Sequence, residues 1–406
     1  MGLGRRFPGW WAVLGGVLLL LEAGQAGAGE APIKLGFFGP LKKPTGVDIE
    51  EAARLAIDEI NGAGGVLGRK LEATFLDDED TPEKGKTAAE RLLFVDKVDF
   101  LMGSQRTEVG LAVQPVAAEQ KKIFIATGTA SPALTDRVLK EPAKYKYYFR
   151  TYHNSNDLAV AYVAQMKDLL KATGFTKIAV MAEAATWADP VLETMKREFS
   201  GAVVAVERPA PEAKDLSVEL SKVRASGAQA IFTLFAGRDA GITFARQWTD
   251  RKIPALVTGT NVPAGSELFW QQTEGKANGI MFYNNRVRVA LTPKTIAYWD
   301  KYHAKYGHIP ATYTNYATYD GVYILAEAIK KVGSLDPDRL VKALEETDWV
   351  GVGGRYQFRD RHEPYSGPGH IPALFMQWQN GKLVPVWPEQ YRAGEMLWPA
   401  WVPRGR

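Results

Sequence analysis

The chain has 406 residues, 46% of them hydrophobic and 24% charged, with a formal net charge of +4. That is enough apolar material for two ordinary cores, shows no bias toward disorder, and offers no basic footprint for nucleic acid. Cysteine is absent, which excludes thiol catalysis, zinc–thiolate sites and disulfides together.

The N-terminal stretch stands apart from the rest. Arg5-Arg6, an apolar run from Trp10 to Leu21 and the small residues Ala26-Gly27-Ala28 read as a secretory signal peptide over residues 1–28. The alternative is an N-terminal membrane anchor, for which the run is short, since a spanning helix needs about 18 apolar residues. With no cysteine to accept a lipid after the signal, the mature chain is expected free in the periplasm, or secreted where the cell has one membrane.

Beyond residue 30 the hydrophobic period alternates between two and 3.6. A strand at 33–38 precedes a helix in which Ile49, Ala52, Ala53, Ala56, Ile57 and Ile60 share one face. Asn61-Gly62 is expected to stop that helix, because both residues tolerate a left-handed backbone. A glycine-rich link then leads into a strand at 70–76, and further strands follow at 99–102 and 123–126. Short apolar strands separated by helices imply a parallel sheet covered on both faces. The aromatic stretch 145–151 reads as a crossover to a second lobe that repeats the alternation, with strands at 178–181, 203–206, 230–235, 255–258 and 279–283. Helices are expected at 157–173, 293–306, 316–332 and 337–346, then short strands at 355–358, 373–378 and 383–387, with Asn380-Gly381 as a hairpin turn. Five helix starts share a capping side chain followed by proline: Thr81-Pro82, Ser131-Pro132, Asp189-Pro190, Thr292-Pro293 and Asp336-Pro337.

The run Ala56-Ile57-Asp58-Glu59-Ile60-Asn61-Gly62-Ala63-Gly64-Gly65-Val66-Leu67-Gly68-Arg69-Lys70-Leu71, with Asp77-Asp78 and Thr81-Pro82 after it, closely resembles the leucine/isoleucine/valine-binding proteins. These are periplasmic solute receptors of ABC importers, and the order of elements matches them over nearly the whole chain after Ala31. The resemblance implies the type I periplasmic binding protein fold, an α/β architecture of two doubly wound lobes joined by a three-strand hinge. Crossings would fall near Thr151, Tyr283 and Phe358, giving one lobe of residues 29–151 and 284–358 and another of 152–283 and 359–406. It also implies a monomer that uses no cofactor, captures a branched-chain amino acid or related small carboxylate in the interlobe cleft, and docks on an inner-membrane permease.

In doubly wound sheets, ligands bind beyond the carboxyl ends of the strands, where helix N-termini gather. Two loops of the first lobe fit: Gly103-Ser104-Gln105-Arg106-Thr107, and Thr127-Gly128-Thr129-Ala130-Ser131. Both offer hydroxyls and amides suited to a carboxylate. On the resemblance, Thr107 falls at a serine that holds the ligand carboxylate, and Gly128 at a carbonyl that accepts the ligand ammonium. Ala130 falls at a threonine and lacks its hydroxyl; neighbouring Thr129 offers one. Arg106 is either a bidentate carboxylate clamp or a solvent-facing charge. Trp187 falls where the family places an aromatic that closes over the ligand, the alternative being a surface indole packing its own loop. Asn261 stands where amino-acid binders often carry a glutamate for the ammonium. With Arg106, that tilts the expectation toward an aromatic or aliphatic carboxylate.

Several motifs fail on context. The glycines at 62–68 lead from a helix into a strand, the reverse of a dinucleotide fingerprint, and Gly85-Lys86-Thr87 lacks the first glycine of a P-loop. Asp77-Asp78-Glu79-Asp80 has no calcium-loop spacing, the five histidines form no metal pair, and no serine-hydrolase elbow occurs. No acid/base or nucleophile pair marks an enzyme, so neither catalytic nor metal residues are assigned. The remaining alternatives are a ligand-sensing receptor domain and a binder of amides, urea-like compounds or aromatic acids.

Overall fold

A computed structural model of the chain describes residues 1, 2, 4 and 30–404; apart from residues 1, 2 and 4, the expected signal peptide lies outside the described residues. Five parallel strands form the first sheet: β1 (Ile33–Gly39), β2 (Leu71–Asp77), β3 (Phe100–Gly103), β4 (Phe124–Ala126) and β5 (Tyr148–Arg150), in the order β2-β1-β3-β4-β5. The helices between them are α1 (Pro44–Gly62), α2 (Pro82–Glu90), α3 (Thr107–Glu119), α4 (Ala133–Lys140) and α5 (Pro142–Tyr145). The second sheet, β6 (Ile178–Ala182), β7 (Val203–Glu207), β8 (Ala230–Phe235) and β9 (Leu256–Asn261), is also parallel and runs β7-β6-β8-β9. It is built with α6 (Ser155–Thr173), α7 (Asp189–Glu198), α8 (Ser217–Ala225), α9 (Arg238–Asp250) and α10 (Leu268–Gln272).

The chain then returns through β10 (Met281–Tyr283) to α11 (Thr295–Tyr306), α12 (Thr314–Val332) and α13 (Pro337–Glu345) on the first sheet. The antiparallel pair β11 (Trp349–Val350) and β12 (Arg355–Tyr356) follows. Last come β13 (Phe375–Gln379) and β14 (Lys382–Trp387), which make a three-stranded antiparallel sheet with β10. Their hairpin turns at Asn380 and Gly381, both at positive φ (51° and 81°), as the two-residue turn expected there requires.

Strand periodicity explains why the first sheet is covered twice. Ile33, Leu35 and Phe37 of β1 join α1, α12 and α13 in one core, while Phe38 points into another with α2 and α3. In β3, Phe100 and Met102 face the first core and Leu101 the second. The second sheet, with the antiparallel sheet and the tail aromatics, forms a single large core. We propose two lobes, residues 30–151 with 284–371 and 152–283 with 374–404, which moves the last crossing past the expected Phe358. Ile371 packs in the core of α1 and α12 and Leu374 in that of the second sheet, so the last change of core lies between them.

Two local expectations resolve differently. The first helix starts at Pro44, and its end is not shaped by a left-handed Asn61. Positive φ falls instead at Gly64 and Gly65, while the Asn61 amide clasps Leu71, accepting from its N–H at 2.8 Å and donating to its carbonyl at 2.9 Å. Side-chain bonding within the helix replaces a turn residue with a tie to β2. Of the five cap–proline pairs, Thr81 and Asp336 accept from the third residue on, as caps do. Ser131 and Thr292 accept from the second residue on, and Asp189 pairs with Arg208 at 2.7 Å.

Candidate ligand-binding site

In each sheet the chain winds outward on one side and then the other, so the strand order reverses between β1 and β3 and again between β6 and β8. Both reversals open crevices at the carboxyl ends. Loops after β1, β3 and β4 and loops after β6, β8 and β9 together line a cavity of about 750 Å³. That is ample for a small molecule.

The first wall is made of backbone and hydroxyls. Gly103 and Ser104 both take positive φ (109° and 65°), which turns the chain sharply after β3 and delivers Arg106 and Thr107 to the start of α3. A Cβ on Gly103 would lie 2.2 Å from the Phe38 carbonyl oxygen. No N-cap side chain closes α3, so apart from the Glu108 amide, which its own carboxylate bonds, its first amides are open to an anion. The Thr107 hydroxyl, buried on the cavity, accepts from the Ser131 amide at 3.4 Å and keeps its own hydrogen to donate. Gly128 packs edge to edge with the other loop: a Cβ there would meet the Ser104 carbonyl oxygen at 2.8 Å and Gln105 Cα at 3.0 Å. Among the described residues the amides of Gly128, Thr129 and Ala130 have no acceptor.

The second wall carries charge and aromatic rings. Glu183, buried at the end of β6, accepts from Trp187 Nε1 at 2.7 Å and from the amides of Ala236 and Gly237 at 2.9 and 2.7 Å. Burial pushes its carboxyl up despite those bonds. It therefore fixes the indole and the start of α9, where Asp239 faces the cavity. Among the described residues no group bonds the Asp239 carboxylate. Tyr152 and Tyr313, stacked with centroids 4.3 Å apart, and Tyr162 close the inner end.

Among the described residues, the lysines and the arginine that line the cavity each have an acidic partner. Lys42 pairs with Asp77 at 3.3 Å, Lys43 with Asp80 at 2.8 Å, and Arg106 with Glu108 at 3.2 Å. Asp48, buried at the cavity edge, is pushed up to about 6 by burial against the hydrogen bonds of Thr312, Ala311 and Asn315. Among the described residues, these pairings leave no unpaired lysine or arginine on the walls for a ligand richer in negative charge.

Of the residues singled out from sequence, Arg106, Thr107, Gly128, Ala130 and Trp187 all line the cavity. Arg106 is neither free clamp nor fully exposed; its guanidinium also donates to the Asp80 carbonyl at 3.4 Å. Thr129 turns away, its hydroxyl bonded to the Tyr148 hydroxyl at 2.8 Å, so it does not stand in for the one missing at Ala130. Asn261 is buried beneath the wall and donates to the Gly241 carbonyl at 3.1 Å. Sequence reading missed Glu183, Asp239 and the three tyrosines. Their signal was position: Glu183 directly follows β6, and Asp239 opens the helix after β8.

A sequence model described as periplasmic binding protein matches residues 32–382, and the chain belongs to that family. The Leu/Ile/Val-binding protein homolog 3 of Brucella melitensis is 27% identical over 382 residues, spanning 92% of this chain and 98% of that protein. The fold is that of solved binding proteins. The isoleucine complex of LivJ, a branched-chain amino acid transporter substrate-binding protein from Streptococcus pneumoniae, superposes with a TM-score of 0.76 at 23% identity, covering 87% of this chain and 97% of that one. A solute-binding protein from R. palustris in complex with benzoate gives 0.74 at 18% identity, covering 91% and 99%.

Proposed function

We propose that the chain is the extracytoplasmic solute-binding component of an ABC importer and captures an apolar α-amino acid between its lobes. The observation that carries this reading is the opposition of two walls: open amides with the Thr107 hydroxyl on one, the Asp239 carboxylate on the other. The ligand carboxylate sits on the Gly128–Ala130 amides and Thr107; its ammonium lies between the Gly128 carbonyl and Asp239. Trp187 and the tyrosines cover the apolar side chain. Arg106, held by Glu108, adds field at the carboxylate rather than a clamp. Closure by hinge bending buries the ligand and presents a shape to the inner-membrane permease. The protein acts as a monomer after its leader is removed near Ala28, needs no cofactor, and makes or breaks no covalent bond.

A second reading is an aromatic carboxylate, which the aromatic walls favour. Calorimetric titration of the mature protein with isoleucine, phenylalanine and benzoate, repeated on Asp239→Asn, separates the two. The first reading expects an amino acid to bind and to lose about 100-fold in the variant, because truncating one partner of a desolvated charge pair costs roughly 3 kcal/mol. Benzoate binding that survives the substitution supports the second. Failure of all three ligands removes both.

A further inference from the structure

We propose that Arg150 and Glu363 are positioning residues for the ligand seat, an inference that rests on the carboxylate seat proposed above. Both side chains are 1% exposed or less, and their ion pair is 2.7 Å long. An ion pair so buried can often be replaced by apolar side chains with no loss of stability. Stability alone is thus a poor account of it, and its contacts suggest another.

Arg150 Nη1 donates to the carbonyls of Thr129 at 2.9 Å and Ser131 at 3.0 Å. The carbonyl between them, that of Ala130, accepts from the Ser155 amide at 2.7 Å. Three consecutive carbonyls are therefore held on the side away from the ligand. A planar trans peptide points its N–H opposite to its C=O. Fixing the Thr129 carbonyl thus aims the Ala130 amide at the cavity wall, and fixing that of Ala130 aims the Ser131 amide at the Thr107 hydroxyl, which it meets. The seat is shaped from behind.

Glu363 sets the guanidinium in turn. Its Oε2 accepts from Arg150 Nη2 and from Thr135 Oγ1 at 3.0 Å, and its Oε1 from Asn154 Nδ2 at 2.7 Å. Asn154 caps α6 by accepting from the Asp157 amide at 2.9 Å. Arg359 and Arg361 also approach Glu363, at 3.1 and 3.6 Å. One carboxylate from the segment between β12 and β13 thereby registers the binding loop of the first sheet against the first helix of the second. Neither residue touches the cavity, so both act through the loop.

The test compares Glu363→Gln with the wild type by amide hydrogen exchange and by isoleucine binding. The bonded amides of Ser131 and Ser155 are expected to exchange about tenfold faster, with β6 and β8 unchanged and isoleucine about tenfold weaker through faster release, the scale of a hydrogen bond to a charged group. Arg150→Met should act in the same direction and further. If Glu363→Gln does not fold, Thr135→Val removes two bonds of the network, the one its hydroxyl donates to Glu363 and the one it accepts from Arg150, and should speed the same amides about threefold. Exchange that rises evenly across both sheets, or does not change at Ser131 and Ser155, overturns the proposal. A wild type that ignores isoleucine removes the amino-acid reading instead, and the exchange result still decides positioning.

Discussion

The wall of the cavity built on the first sheet offers donors, chiefly backbone amides and one hydroxyl, whereas the wall built on the second offers a carboxylate and aromatic rings. Each is held from behind by a buried charge: Arg150 with Glu363 behind Gly128–Ser131, Glu183 behind Trp187 and Ala236–Gly237. The difference teaches where selectivity can change. Backbone donors recognise any carboxylate and hardly vary with side-chain identity, so choice among ligands falls to the second wall.

The comparison breaks most completely at Gly128. A valine there would push its Cβ into the Ser104 and Gln105 backbone and part the two donor loops. Isoleucine affinity is expected to fall about 100-fold, in keeping with roughly 1–3 kcal/mol for overpacking a close contact; unchanged binding in a calorimeter would remove Gly128 from the site.

Next in size is a pH effect confined to the first lobe. Burial raises Asp48 and Asp320 to about 6, ahead of their opposing hydrogen bonds from Thr312 and Gly353. The folded state then holds protons that the unfolded chain releases above about 4. Each group's contribution to stability is present below the ordinary carboxylate pKa and lost as pH rises through about 6, on the order of 3 kcal/mol across the window. Denaturant titrations at pH 7 and pH 4 should show the wild type gaining on Asp48→Asn and on Asp320→Asn as pH falls. Parallel curves would deny the shifts.

The second wall is probed by Glu183→Gln, which keeps the shape but removes the charge that Trp187 and two amides bond. A loss of about tenfold in isoleucine affinity is expected. Because burial raises the Glu183 carboxyl, acid should weaken wild-type binding toward the variant's level, with a shallower pH slope in the variant. Equal pH slopes would separate Glu183 from ligand binding.

The first wall was the more legible in sequence, and the reason is physical. Its loops sit at strand ends with glycine, serine and threonine in the order that a tight turn and a helix start demand, so both loops stood out from pattern, and the family resemblance then singled out Thr107 and Gly128. The second wall depends on which acid faces inward, and nothing in the local period separates Asp239 from a surface aspartate. Looking for the ammonium partner at the end of β9 led to Asn261, whose side chain is spent on Gly241 beneath the wall. Thr129 shows the same gap: its type suits a ligand loop, but only the packing of Tyr148 decides that it turns inward. The alternation of strands and helices, by contrast, was legible apart from the two-residue β11, because hydrophobic period is a property of each segment by itself.

The pairing of Glu108 with Thr186 ties the two walls together directly. Glu108, in the first turn of α3, accepts from the Thr186 hydroxyl at 2.6 Å and its amide at 3.4 Å. Burial pushes the carboxyl up, but Thr186, the helix amide and Arg106 outweigh it and hold Glu108 below its ordinary value, so it stays ionised in neutral solution. This bond exists only while the walls are together, so it favours the closed form whatever ligand is inside. It is partly exposed, which limits it to under about 1 kcal/mol. Glu108→Gln and Thr186→Val should each weaken isoleucine about threefold, raise the release rate by the same factor, and show no further loss when combined. Additive losses in the double variant would mean that the two residues act separately, and that the walls meet without this tie.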